Sequence, residues 1–516
     1  MIKRKKILWA DDEIDILRPH ILFLEEKGYE VTPVNSGQDA LDCIKSEPFD
    51  IVFLDENMPG LTGIETLSII KEINPNIPVI MITKSEDEGI MTHAIGRKIA
   101  DYLIKPVNPN QILLSVKKNL HKDDIVSEVT IESYRDEYNK ISIQINEAQT
   151  HEDWVEIYKK LVYWQTELIN SQSPLLDLLQ MQKQEANNSY SRFIKRNYES
   201  WIQNPEEAPL LSPKLLTQKV FPLLNQDEKV FIFLIDNFRL DQWWAVKDLF
   251  ATDYNIVEDT YYSILPTTTQ YARNAVFSGL MPSQIVKQYP DLWVDEDDDE
   301  GKNINEELLL ENHLKRLRKE VSFSYNKLMT SASGEKLIQQ MNTLNNKQLN
   351  VVVINFIDIL SHARTESRMI RELAADEAAY ISLTRSWIKH SSTIELMKKA
   401  SSMGYKIVLT TDHGTIRVKN PIKVVAGKDE INSNIRYKVS KNIGFNRKDV
   451  YDIPNPEKIG LPAPHLSTKY IFACNEDFFA YPNNFNHYAS YYANTFQHGG
   501  VSMEEMIIPF ITMTTK

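Results

Sequence analysis

Asp236, Asp358, His362, Asp412, His413 and His498 each lie in or just beyond a stretch with the character of a strand end. VFIFLI precedes Asp236, VVVINFI precedes Asp358 with His362 one helical turn on, IVLTT precedes Asp412-His413, and His498 stands in QHGG. Carboxylate oxygens and imidazole nitrogens are the donors that zinc takes, and six of them are enough for two ions. Between the first and second clusters, PTTTQ holds Thr267, Thr268 and Thr269, hydroxyls of the kind that serve as nucleophiles once activated. Two ions ~4 Å apart clamp the attacking and leaving oxygens of an in-line displacement. The set predicts a two-metal hydrolase.

A separate acidic set lies far upstream. Asp11 and Asp12 close the run KKILWA, Asp55 closes FDIVFLD, Thr83 closes IPVIMIT, and Lys105 follows ADYLI. Three carboxylates brought together repel unless a hard divalent cation such as Mg2+ lies between them. Asp55 is then a nucleophile towards a phosphoryl group, with Lys105 and Thr83 neutralising and hydrogen-bonding the product. Met58-Pro59-Gly60, just past Asp55, supplies a tight turn towards the ion.

The elements that must position these residues alternate in kind. Over residues 1–120, short apolar runs alternate with helical spacing, which predicts a doubly wound, flavodoxin-like parallel sheet with its reactive groups at the carboxyl ends of the strands. Over 226–516 the strand-like runs VFIFLID, LNVVVINFID, GYKIVLTTDHG and TKYIFAC are again separated by helical segments, predicting a second α/β sandwich. Residues 121–225 are helical: Trp154, Ile157, Leu161, Trp164 and Leu168 step by three and four along one face. This stretch has no glycine for the tight turn of a DNA-reading helix-turn-helix, so a bundle that packs and relays is expected. NPEEAPLLSPK, with three prolines, marks the connection to the last domain. Asp295, Asp297, Asp299 and Glu306 mimic a calcium loop, but Glu300 stands where that loop needs glycine, so the run is expected to be a solvated acidic loop.

A net charge of −13 over 516 residues argues against a duplex-DNA-binding surface, because phosphates would be repelled. The two cysteines, Cys43 and Cys474, fit a reducing compartment and exclude a thiolate zinc finger. The basic start MIKRKK is followed by too short an apolar run for a signal peptide, and no run approaches the ~18 apolar residues of a membrane helix. A cytoplasmic chain without membrane insertion is expected.

The first 120 residues closely resemble the receiver domain of two-component response regulators. That resemblance implies that Asp55 accepts phosphate from a sensor histidine kinase, and that Asp11, Asp12 and Asp55 surround Mg2+. It further implies that Thr83 and Tyr102 form the switch pair, that Lys105-Pro106 is cis, and that the phosphorylated form is a homodimer. IDNFRLDQ, PTTTQYARNAVFSGLMP, FIDILSH, TTDHG and HGGVSMEEMIIP resemble the alkaline phosphatase superfamily, specifically its PglZ-type domain. Carried over by motif, Asp358, His362 and His498 hold one zinc and Asp236, Asp412 and His413 the other. Motif spacing to Gly279 points to Thr269 as nucleophile, ahead of Thr268 and then Thr267. Arg273 or Asn274, a turn further on, is expected to hold a nonbridging phosphate oxygen. With no third metal cluster for a monoester, a phosphodiester is expected, such as a short or cyclic oligonucleotide whose bases stack on Tyr271, Tyr488, Tyr491, Tyr492 or Phe496. The order of the three parts resembles the PorX-type response regulators of Bacteroidetes, which implies control of type IX secretion, with a sigma factor or secretion component as a further partner. The alternative is a phosphorylation-dependent adaptor whose metal domain is structural or vestigial.

Overall fold

The computed structural model describes residues 4–84, 99–120, 122–224, 228–294, 301, 303–426 and 434–516. Asp295, Asp297, Asp299 and Glu300 of the acidic run lie outside the described residues. The chain forms two compact units, Met1–Thr130 and Ile131–Lys516.

The first unit is a five-stranded parallel sheet in the order β2-β1-β3-β4-β5, with β1 Lys6–Ala10, β2 Glu30–Val34, β3 Ile51–Asp55, β4 Val79–Thr83 and β5 Asp101–Ile104. Parallel strands covered on both faces need continuous apolar runs, and β3 and β4 are buried at every residue. One face packs Trp9, Ile21, Phe53 and Ile112, and the other packs Leu8, Leu41, Leu67 and Val79. Helix Gly63–Ile73 starts on a capping box between Thr62 and Glu65, which satisfies two of its free amides. Its first residue must be glycine: a Cβ there would collide with the Asp55 carbonyl oxygen and lie 2.7 Å from Met81 Cε. The helix therefore closes directly onto the end of β3.

The second unit is built on a six-stranded sheet. In chain order its strands are β6 Lys229–Ile235, β7 Tyr254–Tyr262, β8 Phe323–Leu328, β9 Leu349–Ile354, β10 Tyr405–Thr410 and a closing strand Ile507–Thr515. Across the sheet the order is β7, closing strand, β10, β6, β9, β8. The four strands β10, β6, β9 and β8 run parallel, while the closing strand is antiparallel to both neighbours. A lobe of small sheets between Asn420 and Ala480 is added at the side, including the three strands Tyr437–Ser440, Lys469–Ala473 and Val450–Ile453.

Helices His151–Asn170 and Leu176–Gln203 belong to this second unit. The stripe of Trp154, Ile157, Leu161, Trp164 and Leu168 is buried, and a continuous apolar core joins it to β6 and β9. Each such side chain contributes on the order of 1.5–3 kcal/mol by leaving water. The same helices also bury polar residues: Gln165, Gln182, Lys183 and Asn187 are all at most 5% exposed.

Candidate active site

In the first unit, the ends of β1 and β3 bring Asp11, Asp12 and Asp55 together, with one oxygen of each within 4.8 Å of the others. Lys105 Nζ forms ion pairs with Asp11 Oδ2 and Asp55 Oδ1, both at 2.7 Å. Asp55 Oδ2 accepts from the Asn57 amide at 3.1 Å. Burial pushes the Asp55 carboxyl above its ordinary value, and the Lys105 contact only partly opposes it. Thr83 is buried at the end of β4, Tyr102 is partly buried on β5, and Lys105-Pro106 is cis. Asp55 is thus a buried carboxyl paired with a lysine and grouped with two further acids, at the sheet edge where β4 ends on the buried Thr83.

In the second unit, the parallel strands deliver their carboxyl ends to one place. Asp236 follows β6 and donates its amide to Ile354 O of β9 at 2.9 Å. Asp412-His413 follows β10, where Phe238 N donates to Thr411 Oγ1 at 3.0 Å and Ser263 Oγ donates to Asp412 O at 2.7 Å. Helix Phe356–Glu366, after β9, carries Asp358 and His362, one turn apart on the same face. Ligand atoms of Asp236, Asp412 and His413 lie within 4.8 Å of one another, and so do those of Asp358, His362 and His498. The two groups adjoin, because the His413 and His498 rings stack with centroids 4.4 Å apart. His413 Nδ1 pairs with Gly414 O at 3.1 Å and His498 Nδ1 with Thr267 O at 3.3 Å. Such partners fix the orientation of each ring and leave both Nε2 atoms for the site.

Thr269 opens a helical turn at the rim of this cluster. Its Oγ1 lies 3.3 Å from Asp236 Oδ1 and 3.1 Å from His413 Nε2. It is the partly exposed member of the three threonines. Thr267 is fully buried: its hydroxyl donates to Gly500 O at 3.0 Å and accepts from Gly499 N at 3.0 Å, so it holds the loop that carries His498. Thr268 is buried as well.

The electrostatics differ between the two groups, and those of the first fit a cation. Burial, and then the charge of Asp412, push the Asp236 carboxyl well above its ordinary value, with Arg273 opposing. Asp412 Oδ2 is buried without a hydrogen-bond donor. Burial depresses His413 to about 4, so its imidazole is neutral, as a metal ligand requires. Burial works most strongly against a charge on both Asp358 and His498, but their mutual hydrogen bond together with the surrounding opposite charges outweighs it, lowering the carboxyl and raising the imidazole. The first group is sealed, whereas His362, with its side chain 58% exposed, opens the second to solvent.

Arg273 and Asn274 are placed differently from the expectation that they grip a substrate oxygen. Arg273 is 1% exposed and lies beneath Asp236, donating from Nη1 to Asp236 Oδ2 at 2.7 Å and from Nε to Glu306. Two buried carboxylates draw the guanidinium inward, so it braces a ligand instead of facing substrate. Asn274 is also buried, donating to Gln270 O at 2.8 Å and accepting from Asn303 at 3.3 Å. Tyr271 and Phe496 are likewise core residues, at 0% and 1% exposure, and present no stacking face. Tyr488, Tyr491 and Tyr492 lie on the partly exposed helix Phe485–Tyr492.

Several residues that support the site escape the sequence pattern. Asn237 takes a left-handed conformation with φ 62°, which asparagine tolerates better than most residues. Its Nδ2 donates to Asp358 Oδ1 at 3.3 Å and to Ser361 at 3.2 Å. Glu505 accepts from Gly500 N at 2.8 Å, Ser502 Oγ at 2.6 Å and Arg436 Nη2 at 2.6 Å, locking the glycine loop after His498. Only Glu505 had a local signal: Ser502 and Glu505 stand at capping-box spacing.

The family model of the BREX system PglZ alkaline phosphatase-like domain matches residues 215–513, more than half of the chain. The chain belongs to the PglZ alkaline phosphatase-like family. Ahead of the PglZ-like region, the PorX response regulator linker domain matches residues 124–202 and the response regulator receiver domain matches 7–117, the arrangement of PorX-type response regulators. The receiver stretch is 34% identical over 124 residues to the transcriptional regulatory protein ZraR of Escherichia coli O157:H7, which covers 24% of this chain and 28% of that protein. It is 31% identical over 123 residues to the alkaline phosphatase synthesis transcriptional regulatory protein PhoP of Bacillus subtilis, covering 24% of this chain and 51% of PhoP. The chain thus spans about a quarter to a half of the length of these curated relatives. Among solved structures, a CheY-like receiver domain protein from Methanospirillum hungatei is 29% identical, covering 23% of this chain and 96% of that one, with a TM-score of 0.23. This PglZ family member therefore joins a two-component receiver to a phosphatase-like domain. Among its described residues, no helix is long and apolar enough to cross a membrane.

Proposed function

We propose that the chain is a response regulator whose receiver controls a zinc-dependent phosphodiesterase. A sensor histidine kinase phosphorylates Asp55, the receiver dimerises, and the metal domain acts on short or cyclic oligonucleotides in the service of type IX secretion. The observation that carries this reading is a pair of adjoining groups of zinc-type donors, one of which contacts the partly exposed hydroxyl of Thr269.

Zinc ions bound by Asp236, Asp412 and His413 and by Asp358, His362 and His498 would supply Lewis acidity and offset the crowded carboxylates. Thr269 Oγ1 attacks phosphorus: the Oγ–P bond forms and the ester P–O bond breaks, the hydroxyl proton leaves to solvent, and the departing alkoxide takes a proton from solvent and leaves as the alcohol. Water then cleaves the Oγ–P bond and restores the hydroxyl. Arg273 keeps Asp236 in place throughout, and the buried walls around His413 limit competing water. In the receiver, Mg2+ between Asp11, Asp12 and Asp55 would offset the phosphoryl charge, while Lys105 and Thr83 hold the phosphorylated state. A diester is favoured over a monoester because the described residues of this unit hold two ligand groups and the buried arginines around them are committed elsewhere, Arg273 to Asp236 and Glu306, Arg239 to Asp241 and Glu377, and Arg436 to Glu505.

Elemental analysis of the purified chain is expected to give two equivalents of zinc. Turnover of bis-p-nitrophenyl phosphate is expected to vanish in Thr269→Ala while zinc is retained. Zinc-loaded protein that is inert on every phosphodiester would replace the enzyme with the adaptor reading, and full turnover in Thr269→Ala would remove the nucleophile.

A further inference from the structure

One face of helix Leu176–Gln203 grips the chain directly after the His498 loop. Lys183, Asn187 and Ser191 follow one another at intervals of four in this helix, so they share a face. Asn187, 2% exposed, uses both ends of its amide: Oδ1 accepts from Met503 N at 2.8 Å, and Nδ2 donates to Glu504 Oε2 at 2.8 Å. Lys183 Nζ lies 3.0 Å from Glu504 Oε1, and Ser191 Oγ lies 3.5 Å from Val501 O. Asn187 and Glu504 are 317 residues apart in the chain, so no local pattern announces the grip.

The gripped segment is the short buried helix Met503–Met506, and the loops of two ligand histidines lean on it. Gly414, directly after His413, donates its amide to Glu505 O at 3.1 Å and packs so closely on the Glu504 carbonyl that a Cβ there would overlap it. The Gly414 carbonyl in turn holds His413 Nδ1 at 3.1 Å. On the other side, Glu505 Oε1 accepts from Gly500 N, two residues past His498, at 2.8 Å. His498 Nε2 stands 3.4 Å from Asp358 Oδ1, within its own ligand group. Val501 has a separate anchor, its amide donating to Ala473 O at 2.9 Å. The residues that follow it, Met503 and Glu504, are held by Asn187 and Lys183.

We propose that Asn187 is a positioning residue of the metal centre. By fixing the short helix Met503–Met506 it sets the places of His413 and His498, and so ties both ligand groups to helix Leu176–Gln203. Bond lengths at a zinc ion hold within about 0.2 Å, whereas one residue of helical rise is ~1.5 Å, so a small slip in this grip is enough to loosen an ion. The inference rests on the zinc-binding part of the function proposed above and not on the turnover of diesters.

Asn187→Ala in the full chain removes both bonds and leaves Lys183 beside Glu504. Its zinc affinity, read by competition with a fluorescent chelator, is expected to fall about 10–100-fold. The peptide carrying Gly499 and Gly500 is expected to exchange its amide hydrogens faster, while peptides of the receiver sheet exchange as before. The double variant Asn187→Asp/Glu504→Gln swaps donor and acceptor between the same two positions and keeps an acceptor for Met503 N and a carboxylate for Lys183. It is expected to return both readings to wild-type values, which a general loss of packing would not do. A folded Asn187→Ala chain in which either reading keeps its wild-type value would overturn the proposal. So would a double variant in which either stays at the Asn187→Ala value. An Asn187→Ala chain that does not fold would assign the residue to the fold alone and overturn it too. A wild-type chain that binds no zinc would remove the metal reading by itself, and exchange at Gly499 and Gly500 would still decide whether Asn187 holds the loop.

Discussion

Replacing Lys183 by methionine tests whether the middle helices and the phosphatase-like sheet fold as one body. The Lys183 ammonium is 5% exposed and donates to Gln165 Oε1 at 2.8 Å, with Glu504 Oε1 at 3.0 Å. Glu504, 3% exposed, also accepts from Asn187 Nδ2 at 2.8 Å, and Gln165 donates onward to Asp241 Oδ2 at 3.0 Å. Methionine fills most of the volume but leaves Glu504 charged and buried, which costs about 3–5 kcal/mol. Removing both charges in Lys183→Met/Glu504→Gln is expected to recover about 2 kcal/mol or more of that loss, because no uncompensated ion remains. For Lys183, burial opposes the charge most strongly, but Glu504 together with Glu377 and Asp241 outweighs it and raises the pKa above its ordinary 10.5, so the contribution is complete below that value and lost as pH climbs through the folded value. For Glu504, burial opposes the charge most strongly, but Lys183 together with the hydrogen bonds from Asn187 and the backbone outweighs it and lowers the pKa below 4.5, so the contribution is complete above that value and lost as pH falls through the folded one. The Lys183→Met penalty is therefore flat across neutral pH and shrinks once Glu504 takes up a proton. Urea unfolding followed by tryptophan fluorescence reports it, since seven of the eight tryptophans lie in the second unit. A loss below about 1 kcal/mol at pH 7, or a double variant no more stable than the single one, would refute the reasoning.

Gly414→Ala is expected to expel zinc from the group that includes His413 and to destabilise the chain by about 2 kcal/mol. The new Cβ would overlap the Glu504 carbonyl oxygen, and elemental analysis showing both ions retained would contradict this. His313 is pushed down to about 4 by burial and by the charge of Arg316. The folded state is then short of a proton that the unfolded chain binds below pH ~6.5. Stability should thus fall between pH ~6.5 and about 4, by about 3 kcal/mol at the lower end. Urea midpoints of His313→Gln across that window should show a shallower fall, and an unchanged slope would refute the assignment. Asp55→Ala is expected to abolish dimerisation driven by acetyl phosphate, as read by light scattering, and a variant that still dimerises would exclude Asp55 as the switch.

The strand ends were legible because a parallel sheet needs uninterrupted apolar runs, and the first polar residue after each run falls at the sheet's edge. That logic found Asp11, Asp55, Asp236 and Asp412-His413, all of which the structure brings into clusters. It failed for Arg273, whose burial depends on Glu306, thirty-three residues away at the end of what reads as a calcium-loop mimic. It also missed Lys183, Gln165 and Asn187, which look like the polar face of an amphipathic helix until Glu504 and Asp241 arrive to pair with them. The division of the chain at residue 225 followed the prolines. The cores of helices His151–Asn170 and Leu176–Gln203 nevertheless merge with that of the sheet, because apolar stripes on helices do not reveal which partner they cover. Local pattern reports which side chains can be buried, and only long-range pairing decides which polar ones are buried with them.

The closing strand Ile507–Thr515 is the last of the sheet in chain order, yet it lies between β7 and β10. During synthesis, β10 has no partner on that side, and β7 none at all within the sheet, until residues past 500 have cleared the ribosome. The glycine loop with His498 emerges just before that strand. A nascent chain thus exposes a long apolar edge while one of its ligand groups is still missing a member. Messages truncated anywhere before this point yield an unfinished sheet and an incomplete ligand set, so the phosphatase-like half is made whole or not at all.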